Sequence, residues 1–325
     1  MVTKDKNKLI PYIFPVGEKC MVSSLGASRL EKQLSYFYPR QHLSYVFEFR
    51  LSEKNDQVDL AIAFDQEEDI EFLKKHSLNI YKNEEIKKWL SSCLELKASD
   101  NSIKSFWLEI DLDGQETNNI PSLFISLKPE ISTIDKLKKI VSVLSFQHVN
   151  ADNFKILETC QNALEKNQYI EHIGVMHSRK SNKTTRLYIR GFNKTSLLSY
   201  LDKVEWTGNK ELLKDHLHEH YSLDYISVAL EFAEILKPTI GIELHLKKGT
   251  QYSDLLLSDF VEKKVCSSKK IEAIKDILTF SKISIKNCNY RRSLSHFKFT
   301  IKNNEEPEYK VYVQLIPSYT GLFGF

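Results

Sequence analysis

Five times along the chain, two short strands of alternating apolar and polar residues are followed by amphipathic helical sequence. The strand pairs open near Leu43, Ser105, Tyr169, Leu223 and Ser295, so the unit recurs about every 60 residues, as a repeat of pattern without residue identity. In LSYVFEFRL, from Leu43, the residues Tyr45, Phe47, Phe49 and Leu51 share one face, leaving Ser44, Val46, Glu48 and Arg50 on the other. In QVDLAIAF, from Gln57, Val58, Leu60, Ile62 and Phe64 oppose Asp59, Ala61, Ala63 and Asp65. The later pairs, SFWLEID with SLFISL, IEHIGVMH with TTRLYIRG, 223–231 with 239–246 and SHFKFTIK with YKVYVQL, keep the same polarity. The turn of the fourth pair is expected at Lys237-Pro238. Helices are expected over 67–76 and 83–96, 132–145 and 153–166, 194–203 and 209–220, and 252–263 and 268–280, after a first one over 28–38.

Strands with one polar face exclude a parallel doubly wound sheet, whose strands are apolar on both faces. The apolar face has to be covered, and amphipathic helices are the material this chain offers. Ten strands is about the size at which a twisted open sheet curls or closes, and closure also removes exposed edges. The expected fold is therefore α+β: five ββαα (αββα) units closing as a ten-stranded antiparallel β-barrel ringed by α-helices, with open or split sheets as the competing arrangement. No linker rich in Pro, Gly or Ser interrupts the pattern. A single domain is expected, with an irregular and helical lead-in over 1–40, the barrel over 43–316 and a tail over 317–325.

Closure would collect Arg50, Arg186, Arg190, Lys298 and Lys310 in one lumen, with Tyr188, Tyr312, Glu48, Glu109, Glu243, His245 and Trp107. The two-residue period puts Arg186 with Tyr188, and Lys310 with Tyr312, on one strand face each. Guanidinium forks, ammonium groups and phenol hydroxyls converging on one space suit a diphosphate. The competing reading is a solvated sheet face that needs no ligand.

With that array in view, the pattern resembles the ABBA-type prenyltransferases, whose ten-stranded αββα barrels transfer an isoprenoid from its diphosphate to an aromatic or heteroatom acceptor. The resemblance is architectural and spans Leu43 to Leu315; no diagnostic string carries it. It implies an isoprenoid diphosphate donor and a small aromatic or peptide acceptor. It further implies diphosphate binding by Arg50, Arg186, Tyr188, Lys298, Lys310 and Tyr312, with Arg190 a weaker member. Glu48 or Glu109 would serve as the base. Trp107, Phe124, Glu243 and His245 would flank the acceptor or shield the allyl cation. No DDxxD string is present, no metal site is expected, and whether Mg2+ is needed stays open. The alternative is a non-catalytic peptide-binding or scaffold protein using the same barrel. A pentein-type enzyme would need a reactive Cys beside His, for which Cys288 near His296 is a poor candidate.

A net charge of +3 gives no field that argues for nucleic acid or an anionic membrane. No window reaches the ~18 apolar residues of a membrane span, and the first residues lack a secretory pattern. Five scattered cysteines without CxxC fit reduced thiols, so a cytoplasmic setting is expected. The run His216-Leu217-His218-Glu219-His220 looks like a metal cluster but reads better as a solvated helix end.

Overall fold

The computed structural model describes residues 10–318 except 14–17, 38–42, 53–56, 81–83, 113–120, 130–132, 146–150, 178–183, 218–222, 248–252, 279–280, 286–287 and 304. The lead-in holds helices α1 (Ile10–Ile13), α2 (Glu18–Met21) and α3 (Ser24–Phe37). The first unit follows as β1 (Ser44–Arg50), β2 (Val58–Phe64), α4 (Glu67–Ile80) and α5 (Glu84–Ser99). The second is β3 (Ile103–Ile110), β4 (Ser122–Leu127), α6 (Ile134–Leu144) and α7 (Ala151–Asn162). The third is β5 (Tyr169–Val175), β6 (Thr185–Phe192), α8 (Lys194–Lys203) and α9 (Lys210–His216). The fourth is β7 (Leu223–Phe232), β8 (Leu236–Leu246), α10 (Asp254–Glu262) and α11 (Ser268–Leu278), after which come β9 (Ser281–Ile285), β10 (Cys288–Ile301) and β11 (Glu308–Pro317).

From β1 to β8 each strand pairs antiparallel with the next, β8 pairs with β10, and β11 pairs with both β10 and β1, so ten strands close into a ring. Phe47↔Val313 and Leu294↔Val313 mark the seam on its two sides. The expected apolar faces point outward. Tyr45, Phe47, Phe49, Leu60, Ile62, Phe106 and Leu108 are at most 1% exposed, packed under the helices. Helix α6 shows why the cover fits: Leu137, Ile140, Val141 and Leu144 recur at helical spacing and all are buried. Each such side chain contributes about 1.5–3 kcal/mol by leaving water.

Buried polar anchors fix helices to the barrel. Lys270 on α11 donates to the carbonyls of Arg50 (3.2 Å) and Ser52 (2.7 Å) at the end of β1. Arg292 on β10 reaches the Ile13 carbonyl (2.7 Å), Asp276 (3.0 Å) and Ser281 Oγ (2.9 Å), which ties α1, α11 and β9 together.

The structure departs from the sequence expectation in several places. Strand β9 was not expected; it is an eleventh strand outside the ring, pairing with residues 288–292 of β10. Strand β10 starts at Cys288 rather than Ser295, because its first half is recruited by β9. The turn between β7 and β8 lies at 233–235, and Lys237 and Pro238 belong to β8. Two helical turns, α1 and α2, precede α3 in the segment expected to be irregular. Beyond these, β11 runs through Pro317. Residues 218–220 of the histidine run, like 319–325 of the tail, lie outside the described residues, while His216 ends α9 with Nδ1 2.8 Å from the Leu212 carbonyl oxygen.

Candidate active site

Alternation along the strands sends the polar faces inward, as the closed ring requires. They line a cavity of about 390 Å³ whose wall includes Trp107, Glu109, Phe124, Tyr188, Glu243, His245 and Tyr312. All of these were sequence candidates. Arg50, Arg186, Lys298, Lys310 and Glu48 cluster beside the cavity in ion pairs and hydrogen bonds with one another and with nearby acids.

At the β1–β11 seam, Glu48 accepts from Lys310 Nζ at 2.8 Å and also from Arg50 and the Tyr312 hydroxyl. Arg50 further contacts Asp59 (2.7 Å) and Glu308 (3.0 Å). Across the lumen, Lys298 Nζ donates to Tyr188 Oη and to Glu243, both at 3.1 Å. Arg186 pairs with Glu231 and donates to Tyr188 Oη at 3.3 Å. Lys298 lies 4.7 Å from the Tyr188 ring centre and 5.8 Å from that of Tyr312, so it joins the two clusters.

The electrostatics follow from this crowding. Burial would raise the Glu48 carboxyl, but Lys310, Arg50 and Lys298 hold it well below the usual carboxylate range. Burial likewise opposes ionisation of Glu243, yet His296, Lys298 and His245 hold it well below the ordinary value. Burial and the Glu48 charge push Asp59 up to about 7, against the pull of Arg50. Burial raises the Tyr312 phenol, and the Glu48 charge raises it further.

A stacked column runs along the wall. The Arg190 guanidinium sits 3.9 Å over the Tyr225 ring, and Tyr225 stacks on His245 at 4.2 Å. His245 lies 4.9 Å from His296, which stacks on Tyr312 at 4.2 Å. Opposite, Trp107 Nε1 donates to Ser126 Oγ at 2.9 Å, which lies 2.6 Å from His172 Nδ1. The Phe124 ring lies across Gly174, where an added Cβ would come within 2.0 Å of it.

Sequence reasoning missed His172, Glu171, Tyr225, His296 and the partner acids Asp59, Glu231 and Glu308. Two bulges explain part of this. Register shifts between Ile170 and His172, and between Leu294 and His296, turn Glu171–His172 and Ser295–His296 toward the cavity as consecutive pairs. Strict alternation admits only one member of each pair. The signal for His296 was available, since it shares parity with Lys298.

A closed antiparallel barrel built from strand pairs and wrapped in helices, with a polar lumen, is the ABBA prenyltransferase fold. No family model matches the chain, and no curated protein matches it by sequence. It is similar in structure to 5-dimethylallyltryptophan synthase from Streptomyces coelicolor, with a TM-score of 0.58 and 8% identity over 95% of this chain and 94% of that one. It is also similar to AnaPT from Neosartorya fischeri, with a TM-score of 0.59 and 10% identity over 99% of this chain and 96% of that one. The 6-dimethylallyltryptophan synthase from Micromonospora olivasterospora, in complex with DMASPP and Trp, gives a TM-score of 0.51 and 11% identity over 86% of each chain. At these identities the likeness is one of fold.

Proposed function

We propose that this protein transfers an isoprenoid group from an allylic diphosphate to an aromatic or heteroatom acceptor held inside the barrel. The observation that carries the reading is the convergence of Arg186, Tyr188, Lys298, Tyr312 and Lys310 on one lumen, beside a cavity walled by aromatic rings. The donor's diphosphate would replace Glu231 on Arg186 and Glu243 on Lys298, taking hydrogen bonds from the same guanidinium fork and ammonium group. Fixed positive charge on the leaving group lowers the barrier to ionisation, by several kcal/mol in a site that excludes water. The allyl cation then faces Tyr188, Tyr312, Trp107 and Phe124, each ring worth about 1–2 kcal/mol of cation–π attraction.

Of the two carboxylates assigned as base, Glu109 suits the role better. Glu48 is already saturated by Arg50, Lys310 and the Tyr312 hydroxyl and is held at low pKa, which makes it a poor proton acceptor. A cavity of about 390 Å³ takes one aromatic group, whether free or on a peptide. The dimethylallyltryptophan synthases among the similar structures favour a dimethylallyl donor and an indole-like acceptor. No helix among the described residues is long and apolar enough to cross a membrane.

The charge balance of the lumen favours a second reading, a barrel that binds a peptide without turnover. Arg50, Arg186, Arg190, Lys298 and Lys310 each already touch a carboxylate, among Glu48, Asp59, Glu171, Glu231, Glu243 and Glu308. One assay separates the two. Dimethylallyl and geranyl diphosphates are offered with tryptophan, tyrosine and short aromatic peptides, with and without Mg2+. Pyrophosphate release that Lys298→Ala and Arg186→Ala each reduce at least a hundredfold supports transfer. Peptide binding by wild-type protein that neither diphosphate competes with supports the second reading.

A further inference from the structure

Three metal-capable side chains meet on the cavity wall. Glu243 and His245 lie two residues apart on β8, on one strand face, and His296 comes from neighbouring β10. Their candidate ligand atoms all lie within 4.8 Å of one another. Glu243 Oε2 is 3.7 Å from His245 Nε2, and Glu243 Oε1 is 3.7 Å from His296 Nε2. These separations are longer than hydrogen bonds. Three ligands around a tetrahedral ion, with bonds near 2.0–2.2 Å, stand about 3.3–3.5 Å apart, so a small inward movement completes the set.

A second observation is independent of that spacing. His296 Nε2 is fully buried and has no hydrogen-bond partner. A buried ring nitrogen without a hydrogen-bond partner is costly, on the order of 1–3 kcal/mol, and native structures rarely leave one without a purpose. The ring is also held in place. Its Nδ1 lies 3.0 Å from Ser295 Oγ, and its face stacks on Tyr312 at 4.2 Å. The His245 ring is held by stacking on Tyr225 at 4.2 Å, and the ion would take the place of the long 3.3 Å contact between its Nε2 and Ser227 Oγ. Lys298 Nζ holds Glu243 Oε1 at 3.1 Å, which fixes the carboxylate with Oε1 toward His296 and Oε2 toward His245. Such outer contacts orient ligating imidazoles and carboxylates at metal centres. Ser295 is in position only because of the bulge between Leu294 and His296.

We propose that Glu243, His245 and His296 bind one divalent transition-metal ion of the Zn2+ or Co2+ kind, with its open coordination position toward the cavity. Two neutral imidazoles and one carboxylate select such borderline ions over Mg2+ or Ca2+, which prefer oxygen alone. A heteroatom of a bound molecule, or water, fills the fourth position; the other three belong to the protein. This site lies on the same cavity wall as the residues assigned to prenyl transfer, but metal uptake is measured without any donor, so either reading can fail alone.

The test titrates chelator-treated full-length protein with Zn2+ against a chromophoric competitor, and with Co2+ by visible absorption. The expected result is one equivalent bound, with His245→Ala and His296→Ala each weakening affinity tenfold or more. His172→Ala, which changes a lumen histidine outside the cluster, should leave uptake as in the wild type. Variants are compared only where far-UV circular dichroism matches the wild type. Should neither variant fold, 15N-histidine spectra of the unaltered protein decide, since two ring nitrogens must shift on Zn2+ addition. Absence of stoichiometric uptake, uptake that survives both substitutions, or uptake lost only when His216, His218 and His220 are replaced would overturn the proposal.

Discussion

Asp59 shows how a single lumen side chain is set by its neighbours. Its Oδ1 accepts from the Leu112 backbone N–H at 3.0 Å and its Oδ2 from Arg50 at 2.7 Å, yet burial and the adjacent Glu48 lift its carboxyl to about 7, from 3.8 unperturbed. Folding therefore takes up a proton between those two values. The stabilising contribution is complete at low pH and is lost as pH rises through about 7. Urea unfolding at about pH 5 and about pH 8 should show the wild type losing on the order of a few kcal/mol relative to Asp59→Asn. Equal pH dependence in both proteins would contradict this account. Gly174 makes a second residue-scale case. Because a methyl group there would collide with the Phe124 ring, Gly174→Ala should destabilise by about 1–3 kcal/mol. Phe124→Ala should relieve part of that loss when the two are combined, as a thermal-melt double-mutant cycle would read.

At the scale of elements, local chemistry sets boundaries that tertiary packing then uses. The Asn193 side chain accepts from Ser196 N at 2.9 Å, and Ser196 Oγ accepts from Asn193 N at 3.0 Å, so α8 opens on a reciprocal cap. Asn193→Ala should cost about 1 kcal/mol by chemical denaturation, and Asn193→Asp should retain most of it. Helix α8 was also the element whose limits, 194–203, were legible to the residue, because cap and periodicity agree there. Strand pairs with clean alternation, such as Ser122–Leu127, were equally readable. What escaped was whatever alternation does not encode. Strand β9 has no strong pattern of its own; Lys282 and Ser284 are exposed, and it exists because β10 offers an edge. The bulges that add Glu171 and Ser295 to the cavity wall break the two-residue period within the β5–β6 and β10–β11 hairpins, and alternation alone does not encode them. The cations of the lumen were legible as a set, since their parity within each strand is fixed. Among their carboxylate partners Glu48 and Glu243 were legible by the same parity, whereas Glu231 and Glu308 were not, because they lie at strand ends where alternation says least.

The whole molecule depends on β11, which has neighbours on both sides and no free edge. A proline within it loses a ladder hydrogen bond in a strand that has no solvent side, at a cost of about 3 kcal/mol or more. Val313→Pro should therefore abolish the cooperative thermal transition and move the protein into the aggregated fraction on gel filtration; a normal melt would show that the seam is dispensable. Closure also accounts for the buried charge. A wet open sheet would leave Arg186 and Lys298 in water, whereas the ring reduces them to 8% and 5% exposure and makes their acid partners obligatory.

Because Tyr45 finds Leu315 only after every strand between them has been made, the seam between β1 and β11 carries a consequence for biosynthesis. The amino-terminal strands leave the ribosome first and wait, with β1 lacking its outer neighbour, until residues 308–317 emerge. Loop-closure entropy over that separation makes the last docking slow compared with hairpin formation. During translation the nascent chain is therefore a curled ribbon with a sticky margin, which is the condition in which holdase chaperones are most useful.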